Sequence, residues 1–475
     1  MKKAVILLVA VALAGCMVGP NYQRPSVDVP PNWRLEDQEA KAVANTAWWE
    51  QFQDPVLNGL IDEALKGNLD VKVAAARVEE YIGRYGFTRS ALFPQIGVGA
   101  SAGQDRVSEK MAIPLTPNVD NPATTYQMSL NGSWEIDLWG KLRRATESAR
   151  AQLLATEENR KGVVLTLVSS VANSYVNLRD LDKRLEVALA TARSRQESYG
   201  VFKLRFEGGL VSDIEINQAK ALYEQALATI PLFQKTITSQ ENAISLLLGR
   251  NPGPVPRGKT IDQLVLPAVP AGLPSDLLTH RPDILQAEQE LIAANANIGV
   301  AKALYFPTIS LTGLFGFASK DLSDLFTGPA KTWSWAVPLT APIFTGGAIA
   351  GQVKATEAVQ QQALFSYQKT IQTAFREAED ALTAQRRTRE QLEAQTREVA
   401  AWRNYAKTAQ LRYDNGYTSY LEVTFAEQNL FSADLAFTQT QGVLFQALVN
   451  VYKAMGGGWV TEADKRTVEA EAAGK

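Results

Sequence analysis

From Tyr126 to Ile136 the chain alternates. Tyr126, Met128, Leu130, Trp134 and Ile136 fall on one face of an extended segment, and Gln127, Ser129, Asn131, Ser133 and Glu135 on the other, so the pattern predicts a strand over 124–138 with one apolar and one polar face. After Pro307, Ile309, Leu311, Phe315 and Phe317 alternate with Thr308, Ser310 and Thr312, predicting a second strand over 307–318. Two more are expected, over 94–105 after the Phe93-Pro94 break and over 332–344, where Trp333 and Trp335 open the run. Their lengths and terminal aromatics suit membrane-spanning β-strands. A soluble sandwich with one buried face alternates in the same way, and the pattern alone leaves both open. Four strands cannot close a barrel in lipid, because the edges would stay unpaired. The chain must then oligomerise, and three copies supply twelve strands around a pore lined by the Gln, Ser, Asn and Thr face.

The other pattern has a period of three to four. The stretch from Leu142 to about Val201 lacks proline, and Ala348 to Tyr413 contains only Gly351 as a breaker. At 1.5 Å per residue, about 60 residues span roughly 90 Å, far above ordinary helix lengths. Leu364, Tyr367, Ile371, Ala374, Ala378 and Leu382 form a coiled-coil seam in the second of them. Shorter partner helices are expected over Asp213–Leu248 and Tyr420–Met455. Helical stretches over Pro55–Leu92 and Pro274–Phe306 should each break near the middle, at Gly67-Asn68 and at Thr279-His280-Arg281-Pro282.

These parts occur twice in one order. LRFEGGLVS (Leu204–Ser212) and LRYDNGYTS (Leu411–Ser419) are near twins, and LFPQIGVGASAG parallels YFPTISLTGLFG; such collinear matches indicate a duplicated architecture. Each twin carries glycine where the chain reverses, Gly208 and Gly209 or Gly416, and a serine, Ser212 or Ser419, suited to cap the next helix. Both twins therefore read as helix-to-helix turns at the end of the helices away from the strands. The expected organisation is a signal peptide over 1–15, an N-terminal extension over 16–54, a first repeat over 55–265, a second over 266–459, and a polar tail over 460–475.

The leader MKKAVILLVAVALAGC has a basic pair, an apolar run and small residues before Cys16, the only cysteine. It resembles a bacterial lipoprotein signal, which implies a covalent lipid on Cys16; with Met17 in the next position it points to the outer membrane. A formal charge of −2 over 475 residues gives no reason to expect nucleic acid. One histidine, His280, cannot support a Ser-His-Asp site or a metal cage, and it reads as structural. No catalytic residue, metal ligand or other cofactor is expected.

GPNYQRP (Gly19–Pro25), LFPQIGVGAS, SWEIDLWGKLRR, AGLPSDLLTHRPDILQAE, YFPTISLT, PIFTGG and YKAMGGGW resemble, collinearly and over nearly all the chain after the leader, the outer-membrane efflux channels of the TolC family. Within that family the chain looks like the branch of lipidated drug-efflux channels that partner resistance-nodulation-division pumps. The resemblance implies a mainly α fold with a membrane β part, in which a homotrimeric α-barrel of long hairpins is joined to a twelve-stranded β-barrel in outer-membrane lipid. It also implies a periplasmic adaptor, an inner-membrane pump and a passive role as exit duct, closed at the helix tips when idle. Leu421 matches a hydrophobic gate position. Four residues on, relatives carry an aspartate and this chain has Phe425, so an apolar plug of Phe425 is one expectation, with Glu422 beside it; Asp213, Glu215 and Glu427 are further candidate gate carboxylates. For Asp213 and Glu215 the helix dipole alone explains a first-turn acid. Alternative roles are a duct for polypeptide export of the type I kind and a lipid-anchored coiled-coil scaffold; a hydrolase has no signature.

Overall fold

The computed structural model describes residues 17–30, 33, 47–108, 110, 120–269 and 274–456. The leader, Cys16 and the polar tail lie outside the described residues. Strands β1 (Gln95–Asp105) and β2 (Ala123–Ile136) form one group along the chain and β3 (Thr308–Ser319), β4 (Lys331–Ala336) and β5 (Leu339–Thr340) a second, each preceded and followed by α-helices. These are α1 (Pro55–Gly67), α2 (Leu69–Ser90), α3 (Lys141–Glu207), α4 (Asp213–Leu247), α5 (Leu277–His280), α6 (Pro282–Ala303), α7 (Ala348–Asp414) and α8 (Tyr420–Ala454). The fold is mainly helical with duplicated halves. Two compact units cut across that duplication, because each draws on both repeats.

One unit comprises 17–26, 77–156 and 287–367. Its sheet has the order β1-β2-β3-β4, antiparallel throughout, with β5 continuing the β4 side of β3. The register lines up Val98, Leu130, Phe315 and Trp333 across all four neighbours, because Val98 pairs with Leu130, Leu130 with Phe315 and Phe315 with Trp333. These four side chains are exposed. A soluble sandwich would bury such a row against a second sheet; here the apolar row stays uncovered on a sheet whose outer strands, β1 and β4, each pair on one side only. The strand expected over 332–344 is interrupted. Pro338 has no N–H to give and its carbonyl instead accepts from Ser310 N at 3.2 Å, and pairing ends at Thr340 before Pro342. Ile343 and Phe344 follow outside the sheet, almost fully exposed. A strap of residues 17–24 lies across this unit. Val18 N donates to Trp139 O at 3.0 Å, buried Arg144 donates to Asn21 Oδ1 at 2.7 Å, and Arg24 pairs with Glu288 at 2.8 Å.

The other unit comprises 27–76, 157–286 and 368–456 and is helical. Its core includes Trp48, Trp49 and Phe52, with Trp48 stacked on Tyr452 of α8 at 5.2 Å. The seam residues Ile371, Ala374, Ala378 and Leu382 are buried as their spacing requires. The break at Thr279-His280-Arg281-Pro282 has a structural reason. Arg281 turns inward and donates to Ala454 O at the end of α8 at 2.9 Å, to Asp283 at 2.7 Å and to Glu377 of α7 at 2.7 Å. His280 stays exposed, its Nδ1 2.8 Å from Asp276 O. α3 and α7 are each 67 residues long, about 100 Å of helix. Among the described residues no helix is long and apolar enough to cross a membrane.

Candidate gate at the paired helix turns

The twin segments form the same turn. At the end of α3, Gly209 N donates to Phe206 O at 2.9 Å and Leu210 N to Arg205 O at 2.8 Å; at the end of α7, Gly416 N donates to Tyr413 O at 2.9 Å and Tyr417 N to Arg412 O at 2.8 Å. This is the six-to-one closure of a helix C-terminus, and it needs a left-handed residue. Gly209 (φ +72°) and Gly416 (φ +76°) supply it. Gly208 does not adopt a left-handed φ and corresponds to Asn415 in the twin, so of the sequence-expected turn glycines only Gly209 and Gly416 carry the reversal.

The two turns meet over one small core. Phe202, Ala219, Ala409, Tyr420, Val423 and Ala426 are buried together, with Tyr199, Val211, Ala406 and Tyr413 packed against them. Phe202 and Tyr420 lie 4.1 Å apart between ring centres, and Tyr413 is 5.3 Å from Tyr420. This cluster joins α3, α4, α7 and α8, and the gate candidates Leu421, Glu422, Phe425 and Glu427 lie beside its α8 members Tyr420, Val423 and Ala426 in sequence without belonging to it.

Leu421 is 62% exposed and Phe425 53% exposed. They lie one turn apart on the same side of α8. Phe425 also meets the edge of Trp402 on α7 at 5.9 Å, a contact whose partner lies 23 residues away and has no local signal. The carboxylates divide by use. Glu215 accepts from Ser212 N at 2.8 Å and from the Tyr413 hydroxyl at 3.3 Å, so it secures its own helix start and ties α4 to α7. Glu422, its counterpart in the twin, accepts from the Thr418 hydroxyl and lies 3.5 Å from Arg412. Asp213 is exposed at the first position of α4. Glu427 is half-buried and turned toward α3, and burial pushes its carboxyl above the usual range. Among the described residues no cluster of His, Cys, Asp or Glu is placed to hold a metal ion.

A sheet with an exposed apolar row and two open edges, carried on the same chain as two long helical hairpins, defines a protein that builds a membrane channel by association. The chain belongs to the family described as "Outer membrane efflux protein", which matches residues 60–250 and 273–457. It is 37% identical over 465 residues to the toluene efflux pump outer membrane protein TtgI of Pseudomonas putida, covering 96% of this chain and 98% of that one. It is 35% identical over 460 residues to the cation efflux system protein CusC of Escherichia coli, covering 95% and 97%. The solved structure of the Campylobacter jejuni CmeC outer membrane channel is 28% identical, covers 95% of this chain and 98% of its own, and superposes with a TM-score of 0.88. The protein is an outer-membrane efflux duct.

Proposed function

We propose that three copies of this chain form the duct, that a periplasmic adaptor joins it to an inner-membrane pump of the resistance-nodulation-division type, and that Leu421 and Phe425 close it. The observation that carries the reading is the uncovered row Val98, Leu130, Phe315 and Trp333 on a sheet with unpaired edges; a bilayer covers the row and neighbouring copies pair the edges. Small-molecule cargo is supported by the toluene and cation efflux relatives. Attachment of lipid at Cys16 is supported by the leader, whose basic pair, apolar run and small residues end at that cysteine.

Exposed apolar side chains on the first turns of α8 suit a constriction that stops ions by dewetting. Glu215 and Glu422 already answer groups of their own turns, which favours the apolar plug over an acidic ring. The test is single-channel conductance of the purified protein in a planar bilayer, native against Leu421→Ser with Phe425→Ser. The native channel is expected to be mostly closed and the double variant open. Equal closure of both, with the trimer intact, would refute the gate assignment.

A further inference from the structure

On α3, Ala188, Ala192, Arg195, Tyr199 and Phe202 follow at steps of four, three, four and three. A guanidinium thus occupies a seam position that its neighbours fill with apolar groups or rings. Arg195 is 3% exposed. Its Nη1 donates to Leu222 O of α4 at 2.8 Å and to Gln225 Oε1 at 3.3 Å, its Nη2 donates to Glu427 O of α8 at 3.4 Å, and its Cζ lies 5.1 Å from the Phe431 ring of α8. Two carbonyls, an amide and a ring stand where a buried guanidinium ordinarily takes a carboxylate.

A carboxylate is close by and not hydrogen-bonded to it. Glu427 offers Arg195 its backbone oxygen, while its side chain has no hydrogen bond or ion pair among the described residues. The titratable groups that face it are Arg195 from α3 and Tyr420 from α8. α4 contributes the neutral Gln225, and on α7 Arg403 is taken by Asp434 at 3.5 Å. Glu427 lies two residues beyond Phe425, so a shift of Glu427 relative to α3 moves the proposed plug. Of the bonds from Arg195 to backbone, the one to Glu427 O is the longer and joins the helix that carries Leu421 and Phe425.

We infer that Arg195 is the positioning residue of the gate, holding α8 through Glu427 O in the arrangement seen here and exchanging that carbonyl for the Glu427 carboxylate when the gate opens. The inference rests on the gate reading above. In the first arrangement burial raises the Glu427 carboxyl against a smaller opposing pull from Arg195, whereas direct pairing would strengthen that pull and lower the carboxyl in the second. Opening then releases a proton, and rising pH favours it.

The experiment is open probability between pH 5 and 8, with hydrogen exchange of the first turns of α8, corrected for intrinsic rates, measured in parallel on the intact trimer. The native channel is expected to gain about tenfold in open probability per unit of pKa difference between the two arrangements, and exchange at the start of α8 should rise with it. Glu427→Gln should flatten both profiles, and so should Arg195→Met. Arg195→Lys keeps the charge without the fork, and it should retain a pH response at a higher basal open probability. A Glu427→Gln trimer that keeps the native pH profile in hydrogen exchange overturns the inference. If Leu421→Ser with Phe425→Ser fails to conduct while the exchange profiles behave as stated, the gate reading falls and the Arg195 exchange stands.

Discussion

Gly208 and Gly209 are adjacent and, by composition, equivalent, yet alanine should act on them in opposite directions. At Gly209 a Cβ would meet open space, with nothing within 4 Å, so the whole cost of Gly209→Ala is the left-handed backbone at φ +72°, about 1–2 kcal/mol. At Gly208 the nearest atom to a Cβ would be Leu204 O at 3.5 Å, an ordinary contact. There alanine removes freedom from the unfolded chain and stabilises by about 0.4–1 kcal/mol. The amide to watch is Leu210 N, bonded to Arg205 O at 2.8 Å, because it exchanges when the turn opens. Gly209→Ala should speed its exchange about 5- to 30-fold, and Gly208→Ala should slow it about two- to fivefold, since 1.4 kcal/mol is a factor of ten. Gly416→Ala, also in open space at φ +76°, should act on Tyr417 N as Gly209→Ala acts on Leu210 N. Equal effects of Gly208→Ala and Gly209→Ala would refute the assignment of the reversal to one glycine per turn.

On the sheet, Leu130→Lys should cost about 2–4 kcal/mol if that face meets the bilayer interior, whereas Asn131→Lys, one residue along and on the other face, should be tolerated; the fraction of trimer recovered in the outer membrane separates them, and equal recovery would argue against lipid on the Leu130 face. Arg281→Met leaves Ala454 O without its donor while Asp283 and Glu377, both substantially exposed, return to water, so a loss of about 1–3 kcal/mol is expected, read as a lower urea midpoint; an unchanged midpoint would show that the clamp contributes nothing. Asp180, buried beneath Gly442, has its carboxyl raised to about 6 by burial, against an opposing pull from Arg184. A raised folded-state pKa means stability is greatest below the ordinary carboxylate range and is lost as pH rises toward 6. Asp180→Asn should therefore gain up to about 3 kcal/mol over the native chain at pH 7 and little at pH 4, and parallel urea midpoints across that range would count against it.

The strand faces were legible because a period of two is a local property, and the long helices because breakers are absent over long windows. The twin turns were legible to within one residue. Of GGL and NGY, only the second position is the same glycine in both, and that is the position with positive φ. Proline explains the one strand that ended early, since Pro338 and Pro342 both lie within the range expected as strand. The candidate gate was less legible. Leu421 and Phe425 came from resemblance, and Trp402, which Phe425 touches, came from neither resemblance nor pattern. Glu215 and Glu422 were legible as candidate gate carboxylates, but their partners, Ser212 and Tyr413 for the one and Thr418 and Arg412 for the other, came from the structure.

Taken by itself, the sequence determined the duplicated plan, the two faces of each strand, the helix lengths and the places where the chain reverses. Each depends on residues within a few positions of one another, through periodicity, capping or the sign of φ. Tertiary structure alone decided what the charged residues do. Arg193 and Arg195 stand two apart in the same helix with the same propensity, yet Arg193 is exposed and Arg195 is sealed between α4 and α8. Two residues along a helix is a rotation of about 200°, so they look out on opposite sides, and which side is occupied depends on helices that arrive from elsewhere in the chain.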